Sequence, residues 1–462
     1  MAIITNVNEK DYAIIKCCEK FIKRFKINSL LRRANATKEK GVPAYEVFAF
    51  LMGLVFTGKN FYTALATAKE KVPFGKDVIY RFYKKATINW NMFLLRLSIS
   101  VVSEVDILTS EDRRTAIIFD DTPYYRNRSK KVELLSRFKD HSKNCYYKGY
   151  NLLNMGWSDG QTFIPLDFRV LAHTEDEKLL EGSHVVEDNR TIATKRRKDA
   201  QTEKPKLVLE MLKSVKGTQA EAEYVLFDSW FSPPSAILSV SGLGFKVVTR
   251  LKNHKNYRYE YNGELFSINE IYAKCPKRRG KSRYLLSVTV NVRHKDFEKS
   301  VPAKIVFIRD RNNRKRWIAL LSTDVDLSED DIIALYGKRW DIEPFHKMIK
   351  SGLRLEKEFQ FRSYDAVVAH TAIVLARYVM LSLENRENKD ERSVCALYFH
   401  FCQELEDISF AYSFELILNT FKQWVSEYIF LGNDTIDILV DEFIALLPLF
   451  IKDKLKLSMC ES

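Results

Sequence analysis

The chain has 462 residues with a formal net charge of +14 and a pI near 9.2. That length predicts two to four domains, and 46% apolar with 13% aromatic residues excludes an intrinsically disordered protein. The basic balance calls for a polyanionic partner, nucleic acid before an anionic membrane.

Seven cysteines include no CxxC pair, and the closest two are the adjacent Cys17 and Cys18. Neither a zinc site nor a disulfide framework is indicated, which fits a reducing compartment. The best apolar run is the ten-residue VFAFLMGLVF, Val47 to Phe56, which reads as a buried helix rather than a membrane span. The opening MAIITNVNEKDY lacks the basic start and apolar stretch of a signal peptide. A soluble cytoplasmic protein with no membrane partner is expected.

Residues 1–110 read as a helical N-terminal domain. VPAYEVFAFLMGLVF, NFYTALATAKEKV, KDVIYRFYKKA and WNMFLLRLSISVVSEV repeat apolar residues every three or four positions. KDVIYRFYKK (Lys76 to Lys85) mixes bases with tyrosines, as a DNA-contacting helix does, but an ordinary amphipathic helix with a solvated basic face reads the same way.

The pattern changes over residues 111–244. AIIF is a short apolar run ending in acids; YNLLNMGWSDG and TFIPLDFRVLA continue as strands, KLVLEMLKSV as a helix, and EYVLFDSWF as another strand. Three strands, a helix and a strand make an α/β core. The polar stretch Glu181 to Lys206 reads as a long exposed loop, and its KRRK (Lys195, Arg196, Arg197, Lys198) either tracks DNA or is plainly solvated.

Residues 245–325 read as an all-β insertion, from alternating segments such as SRYLLSVTVNVRHK. Between 250 and 320 there are 19 Lys and Arg against 6 Asp and Glu, so nearly all of the net charge sits here, which suits contact with phosphates. RNNRKRW ends in Arg316 and Trp317, the first a phosphate ligand and the second either a platform for an unpaired base or a core side chain. Residues 326–385 and 386–462 read as helical, and IDILVDEFIALLPLF near the end is an apolar stripe that either pairs two protomers or packs within one.

The stretch YGKRWDIEPFHKMIK carries the chemistry. At about 100° per residue, Tyr336 falls at 0°, Arg339 near 300°, Glu343 near 340° and Lys350 near 320°, on one face about 60° wide. Pro344 either kinks this helix or starts a new one, which would turn Lys350 away. His346 either assists the site or sits on the surface or in packing, the latter being the expectation. Two further acids, Asp120 after AIIF and Asp228 after YVLF, end apolar strands and would emerge at the carboxyl edge of a sheet. Asp121 is the alternative to Asp120. Three carboxylates converging in so basic a protein call for a cation, and oxygen ligands point to Mg²⁺ or Mn²⁺.

Tyr336, Arg339, Glu343 and Lys350 form Y-x2-R-x3-E-x6-K, which resembles the signature of the IS-four family of bacterial insertion-sequence transposases; FDDT and LFDSWF resemble that family's two aspartate motifs. The resemblance implies an α/β ribonuclease-H-like catalytic core interrupted by an all-β insertion and flanked by helical N- and C-terminal regions. It implies a catalytic, metal-binding triad of Asp120, Asp228 and Glu343 holding two ions. It also implies double-stranded DNA as substrate, both element ends and target, with Tyr336, Arg339 and Lys350 on phosphates. A homodimer in the synaptic complex and a place at the bacterial nucleoid follow from the same resemblance.

Overall fold

The computed structural model describes residues 13–38, 40–57, 61–63, 74–110, 112–140, 143–174, 177–184, 188, 190–278, 282–310, 313, 316–388, 393–428, 433–448 and 451–452. The chain opens with helices α1 (Ala13–Arg24), α2 (Ile27–Arg33), α3 (Ala44–Leu54), α4 (Lys76–Tyr83) and α5 (Trp90–Ile107). Asn89 caps α5 by accepting from the Met92 N–H at 3.1 Å, which sets where that helix starts. In α4 the residues Ile79, Phe82 and Tyr83 are buried, and Tyr80 packs edge-on against Phe61 and Phe361. The two tyrosines of KDVIYRFYKK thus serve packing, leaving Lys76, Arg81 and Lys84 exposed.

Strand β1 (Ala116–Tyr125) follows, its AIIF segment fully buried as a strand covered on both faces must be. β2 (Ser136–Asp140), β3 (Cys145–Ser158) and β4 (Phe163–Leu171) are antiparallel additions. β3 pairs with β1 along one edge, while its other edge carries β2 on its first residues and β4 on the rest. Helices α6 (Ile192–Ala200) and α7 (Lys204–Val215) lead to β5 (Tyr224–Phe227), parallel to β1. After α8 (Pro234–Gly242), β6 (Lys246–Arg250) pairs parallel with β5. Antiparallel strands on one side of β1 and helix-linked parallel strands on the other form a mixed sheet consistent with a ribonuclease-H-like core.

The region expected to be an all-β insertion differs in two respects. It adds β7 (Tyr259–Tyr261), β8 (Glu264–Phe266), β9 (Leu286–Val292), β10 (Val301–Arg309) and β11 (Trp317–Ser322), but also a helix, α9 (Ile268–Lys274). Ser267 and Glu270 form a capping box at the start of that helix, a local signal strong enough to interrupt the strands. Nor are these strands a separate body. β11 pairs with the core strand β6, so the described strands make one eleven-stranded sheet in the order β2-β3-β1-β5-β6-β11-β10-β9-β7-β8, with β4 beside β3.

The stretch expected as a long exposed loop contains α6. Thr191 caps it, and its buried residues are Ala193, Arg196, Arg197 and Ala200, so no apolar periodicity announces it.

Helices α10 (Glu329–Gly337) and α11 (Ile342–Ser351) are joined by a 3-10 turn, Lys338–Asp341, instead of forming one straight helix. Pro344 falls in the first turn of α11, where its missing N–H matters least.

α12 (Tyr364–Glu387) then runs through the core, against α3, α4, α5 and β4. It is long and apolar enough to cross a membrane, contrary to the reading that no such run exists, but its apolar window is wholly buried in the protein. It also carries Arg377, fully buried against Glu358, as suits the core helix of a globular fold. α13 (Val394–Tyr428) and α14 (Asn433–Leu446) close the described chain. The last two residues of IDILVDEFIALLPLF, like residues 1–12, 311–312 and 314–315, lie outside the described residues.

Candidate active site

β1 alternates its side chains across the sheet, so Asp120 and Asp121 point to opposite faces. Asp120 faces the 3-10 turn and α11: its Oδ2 accepts from the Arg339 guanidinium at 3.3 Å. Two residues on, on the same face, Thr122 accepts from the Lys350 ammonium at 2.6 Å. Asp121 instead meets Lys204, at the start of α7, at 3.0 Å, and the Asn151 amide. Glu343 stands on the Asp120 side, its carboxylate 3.9 Å from Arg339 and half exposed.

Tyr336 completes the face, with the Arg339 guanidinium 6.0 Å from its ring centre. The straight-helix angles therefore overstate the regularity of the stretch, yet the four side chains still converge. The 3-10 turn tightens the winding before Pro344, and Lys350 keeps its place over β1.

Asp228 reaches the site by strand register. Ala116 lies opposite Tyr224 and Ile118 opposite Leu226, and continuing that offset two residues sets Asp228 level with Asp120. Its carboxylate accepts from the Trp230 N–H at 2.8 Å, capping the short 3-10 turn Ser229–Phe231. Among the described residues, donor atoms of Asp120, Glu343 and His346 lie within 4.8 Å of one another and could share one ion, and Asp228 stands outside that group.

His346, for which a surface or packing place was expected over a part in the site, is buried within this cluster, its Nε2 3.1 Å from the Asn154 amide. Asn154 lies directly opposite Asp120 on β3. Sequence reasoning overlooked Asn154, which only register reveals, and held Thr122 only as the end of FDDT. The three-residue spacing of Glu343 and His346 was a usable signal, because i and i+3 share a helix face.

The electrostatics suit a cation. Burial lifts the Asp120 carboxyl to about 7; Arg339 opposes this, while the charges of Asp121, Asp228 and Glu343 add to it. Burial, with Lys350 and Arg339 nearby, pushes His346 down to about 3, leaving a neutral imidazole at physiological pH. Burial also raises the Tyr336 phenol and lowers the Lys350 ammonium. The Arg339 Nε and the Asn154 Oδ1 are buried without a partner. Two acids beside a neutral imidazole, with mutual repulsion only partly offset by Arg339, fit a divalent ion as the missing charge.

Three positions expected to contact DNA have other work. Arg196 and Arg197 are buried: Arg196 pairs with Asp365 at 2.5 Å, and Arg197 with Glu133 at 2.7 Å and Asp365 at 2.9 Å. Both guanidiniums are buried against carboxylates, which removes them as phosphate ligands. Trp317 stacks on Tyr272 at 4.8 Å and meets Phe307 edge-on at 5.0 Å, so its ring goes to packing within the basic region. Lys195 and Arg316 are exposed.

A family described as DDE superfamily endonuclease matches residues 44–314. That span is more than half of the chain; it holds Asp120 and Asp228 and ends before Glu343. No curated protein sequence matches the chain.

Proposed function

Because this chain belongs to the DDE superfamily endonucleases, we propose that it is a transposase of the insertion-sequence type, which cleaves DNA at the element's ends and joins the 3′ ends to a target. The observation that carries this reading is the approach of Asp120 and Glu343, more than two hundred residues apart, to within reach of a single cation, with Arg339 between them. Tyr336 and Lys350 beside them match the signature that suggested the reading.

Asp120, Glu343 and Asp228 would hold the metal, Mg²⁺ or Mn²⁺ and two ions in the full reading, with the level placement of Asp228 and Asp120 supporting Asp228 as a third ligand. A divalent ion there supplies charge neutralisation and an activated water for phosphodiester cleavage. The chain's own residues do the positioning. Arg339 offers a planar fork to a phosphate oxygen, and Lys350, held by Thr122, offers a point charge on the same face. Neutral His346, against Asn154, leaves the cluster's negative charge to the carboxylates. The family's chemistry makes DNA the substrate. Pairing of two protomers on synapsed ends and a cytoplasmic, nucleoid-associated location complete the proposal.

The test is cleavage of labelled linear DNA bearing the element's ends, in Mg²⁺, Mn²⁺ or EDTA, by wild type and Glu343→Gln. Metal-dependent nicks at the ends should disappear in the variant while end binding persists. Wild type that binds the ends and never cuts with either metal would sink the proposal. Cutting without joining to a target plasmid would reduce it to a nuclease.

A further inference from the structure

Residues 250–320 carry the sequence's peak of positive charge, yet several of those cations stand against anions. Arg258 pairs with Glu270, Arg293 with Glu260 and Lys274 with Glu264. A second basic stretch, residues 126–148, behaves differently. It has 8 Lys and Arg against 2 acids, Glu133 and Asp140, and both acids are buried and already engaged. Glu133 accepts from Arg197 and from the N–H groups of His184 and Tyr364, while Asp140 accepts from the Tyr125 hydroxyl.

Most of this stretch is the β2–β3 hairpin, in which Arg137 lies opposite Lys148 and Lys139 opposite Tyr146. Directly opposed residues share a face of the sheet, and every second residue along a strand returns to it. Asn154 of β3 opposes Asp120, so Lys148 and Tyr146 fall on the Asp120 face, with Arg137 and Lys139 beside them. All four are exposed, as are Arg128, Lys130 and Lys131 in the loop joining β1 to β2. Among the described residues none of these six cations has a carboxylate partner. Residues 177–181 border the outer edge of β2, where Arg137 N–H donates to the Lys178 carbonyl. Glu177 and Lys178 are exposed there and Glu181 is half-buried, so the rim is mixed while the face is basic.

We propose that this face of the β2–β3 hairpin holds the backbone of the target duplex, the DNA into which the cleaved ends are joined. The proposal rests on the transposase reading of the Asp120–Glu343 site and adds where that second DNA lies. Six residues of β3 separate Lys148 from Asn154. That is about 20 Å along the strand, or roughly six base pairs of duplex. A duplex reaching the site can therefore continue over the hairpin on the same side of the sheet. The face offers charge and little else: Tyr146 is its exposed aromatic, and the Arg137 guanidinium already sits over that ring at 4.9 Å. Lysine and arginine grip phosphates without reading bases. An element end must be read by its sequence, whereas a target is accepted whatever its sequence.

Full-length protein in EDTA tests this without cleavage, by fluorescence anisotropy over a range of salt. The probes are a labelled 25-base-pair duplex of arbitrary sequence and one of equal length carrying the element's end. Arg137→Ser/Lys139→Ser/Lys148→Ser should weaken binding of the arbitrary duplex by about tenfold or more at about 0.1 M salt. Its salt slope should fall by about two to three, near 0.9 for each lost phosphate contact. Binding of the end should fall by less than about threefold, because base contacts elsewhere hold it. Arg258→Ser/Lys274→Ser/Arg293→Ser removes the same charge from carboxylate-paired positions and should leave both probes within about threefold of wild type. Lys139→Arg/Lys148→Arg should bind as wild type does, which separates lost charge from a damaged hairpin. The surface is overturned if the hairpin triple variant binds arbitrary duplex as wild type does, if the paired-position variant loses as much, or if wild type binds no duplex lacking the end. Equal loss of both probes overturns the target assignment and makes the hairpin part of the grip on the ends. A chain that never cuts but shows these differences keeps a sequence-independent duplex surface and loses the transposase reading. A chain that cuts the ends and shows none of them loses the surface alone.

Discussion

Arginine meets carboxylate in two contrasting ways in this molecule. In the core, Arg377 and Glu358 are both fully buried and form a two-point pair at 2.6 and 2.8 Å, while Arg197 divides its donors between Glu133 and Asp365. At the candidate site Arg339 stands 3.3 Å from Asp120 and 3.9 Å from a half-exposed Glu343, a single-point contact to each. The core pairs are closed, since each carboxylate has the donors it needs. The site pair is left short of positive charge, and the acid that shows this is Asp120, lifted to about 7 despite an adjacent arginine. A structural ion pair satisfies itself, whereas a working one leaves room for a ligand.

The largest expected effect separates two neighbouring residues. Asp120→Asn should lower end cleavage by roughly 10³-fold or more, since it removes a carboxylate that acts with Glu343 as a unit. Asp121→Asn, on the opposite face with Lys204 and Asn151, should stay within about tenfold of wild type. Rates measured side by side on one end substrate decide the matter. Equal losses would mean that β1 is read in the wrong register and that the site lies on the α7 side.

Next in size is a contrast in stability. Glu358→Ala leaves the Arg377 guanidinium buried and unpaired and should cost about 3–5 kcal/mol. Glu343→Ala removes a half-exposed acid from a loose pair beside another acid, and should change stability by less than about 0.5 kcal/mol or raise it slightly. Chemical denaturation of both variants without metal measures the difference. A comparable loss in Glu343→Ala would show that the site pair holds the fold together, and the contrast between open and closed pairs would fail.

Much of this was readable before the fold was known, and the gaps have physical causes. The strands carrying Asp120 and Asp228 announced themselves as apolar runs met by an acid, but only Asp228 follows the end of its strand; β1 runs on to Tyr125 against β3, so Asp120 lies mid-strand, just past the last residue paired with β5. The Tyr336–Lys350 stretch was legible from helical spacing, although the 3-10 turn bends the geometry. α6 was not legible: its inward face carries Arg196 and Arg197, and a buried arginine looks like a surface one until Asp365 and Glu133 are known to face it. The joining of β11 to β6 and the pairing of Asn154 with Asp120 depend on strand register, which no local pattern encodes. α12 was seen as a strong helix, but its length as an apolar segment was hidden by His370 and Arg377, which the fold buries with Glu358.

The smallest effect tests α6, where closed and open charges share two turns of helix. Lys195 and Lys198 are exposed, while Arg196 and Arg197, between them, are buried. Lys195→Ala should leave stability within about 0.5 kcal/mol, since an exposed lysine holds nothing in place. If DNA passes over this helix, the same change should weaken binding a few-fold and lower the salt slope by about one, the signature of one lost phosphate contact. Arg197→Ala should do the opposite, costing about 3 kcal/mol of stability by stranding Glu133 and part of Asp365, with no change in the salt slope of the protein that remains folded. Denaturation and salt-dependent DNA binding on the two variants place each charge separately. A salt slope unmoved by Lys195→Ala would leave KRRK wholly structural, its arginines as clamps in the core and its lysines as a solvated rim.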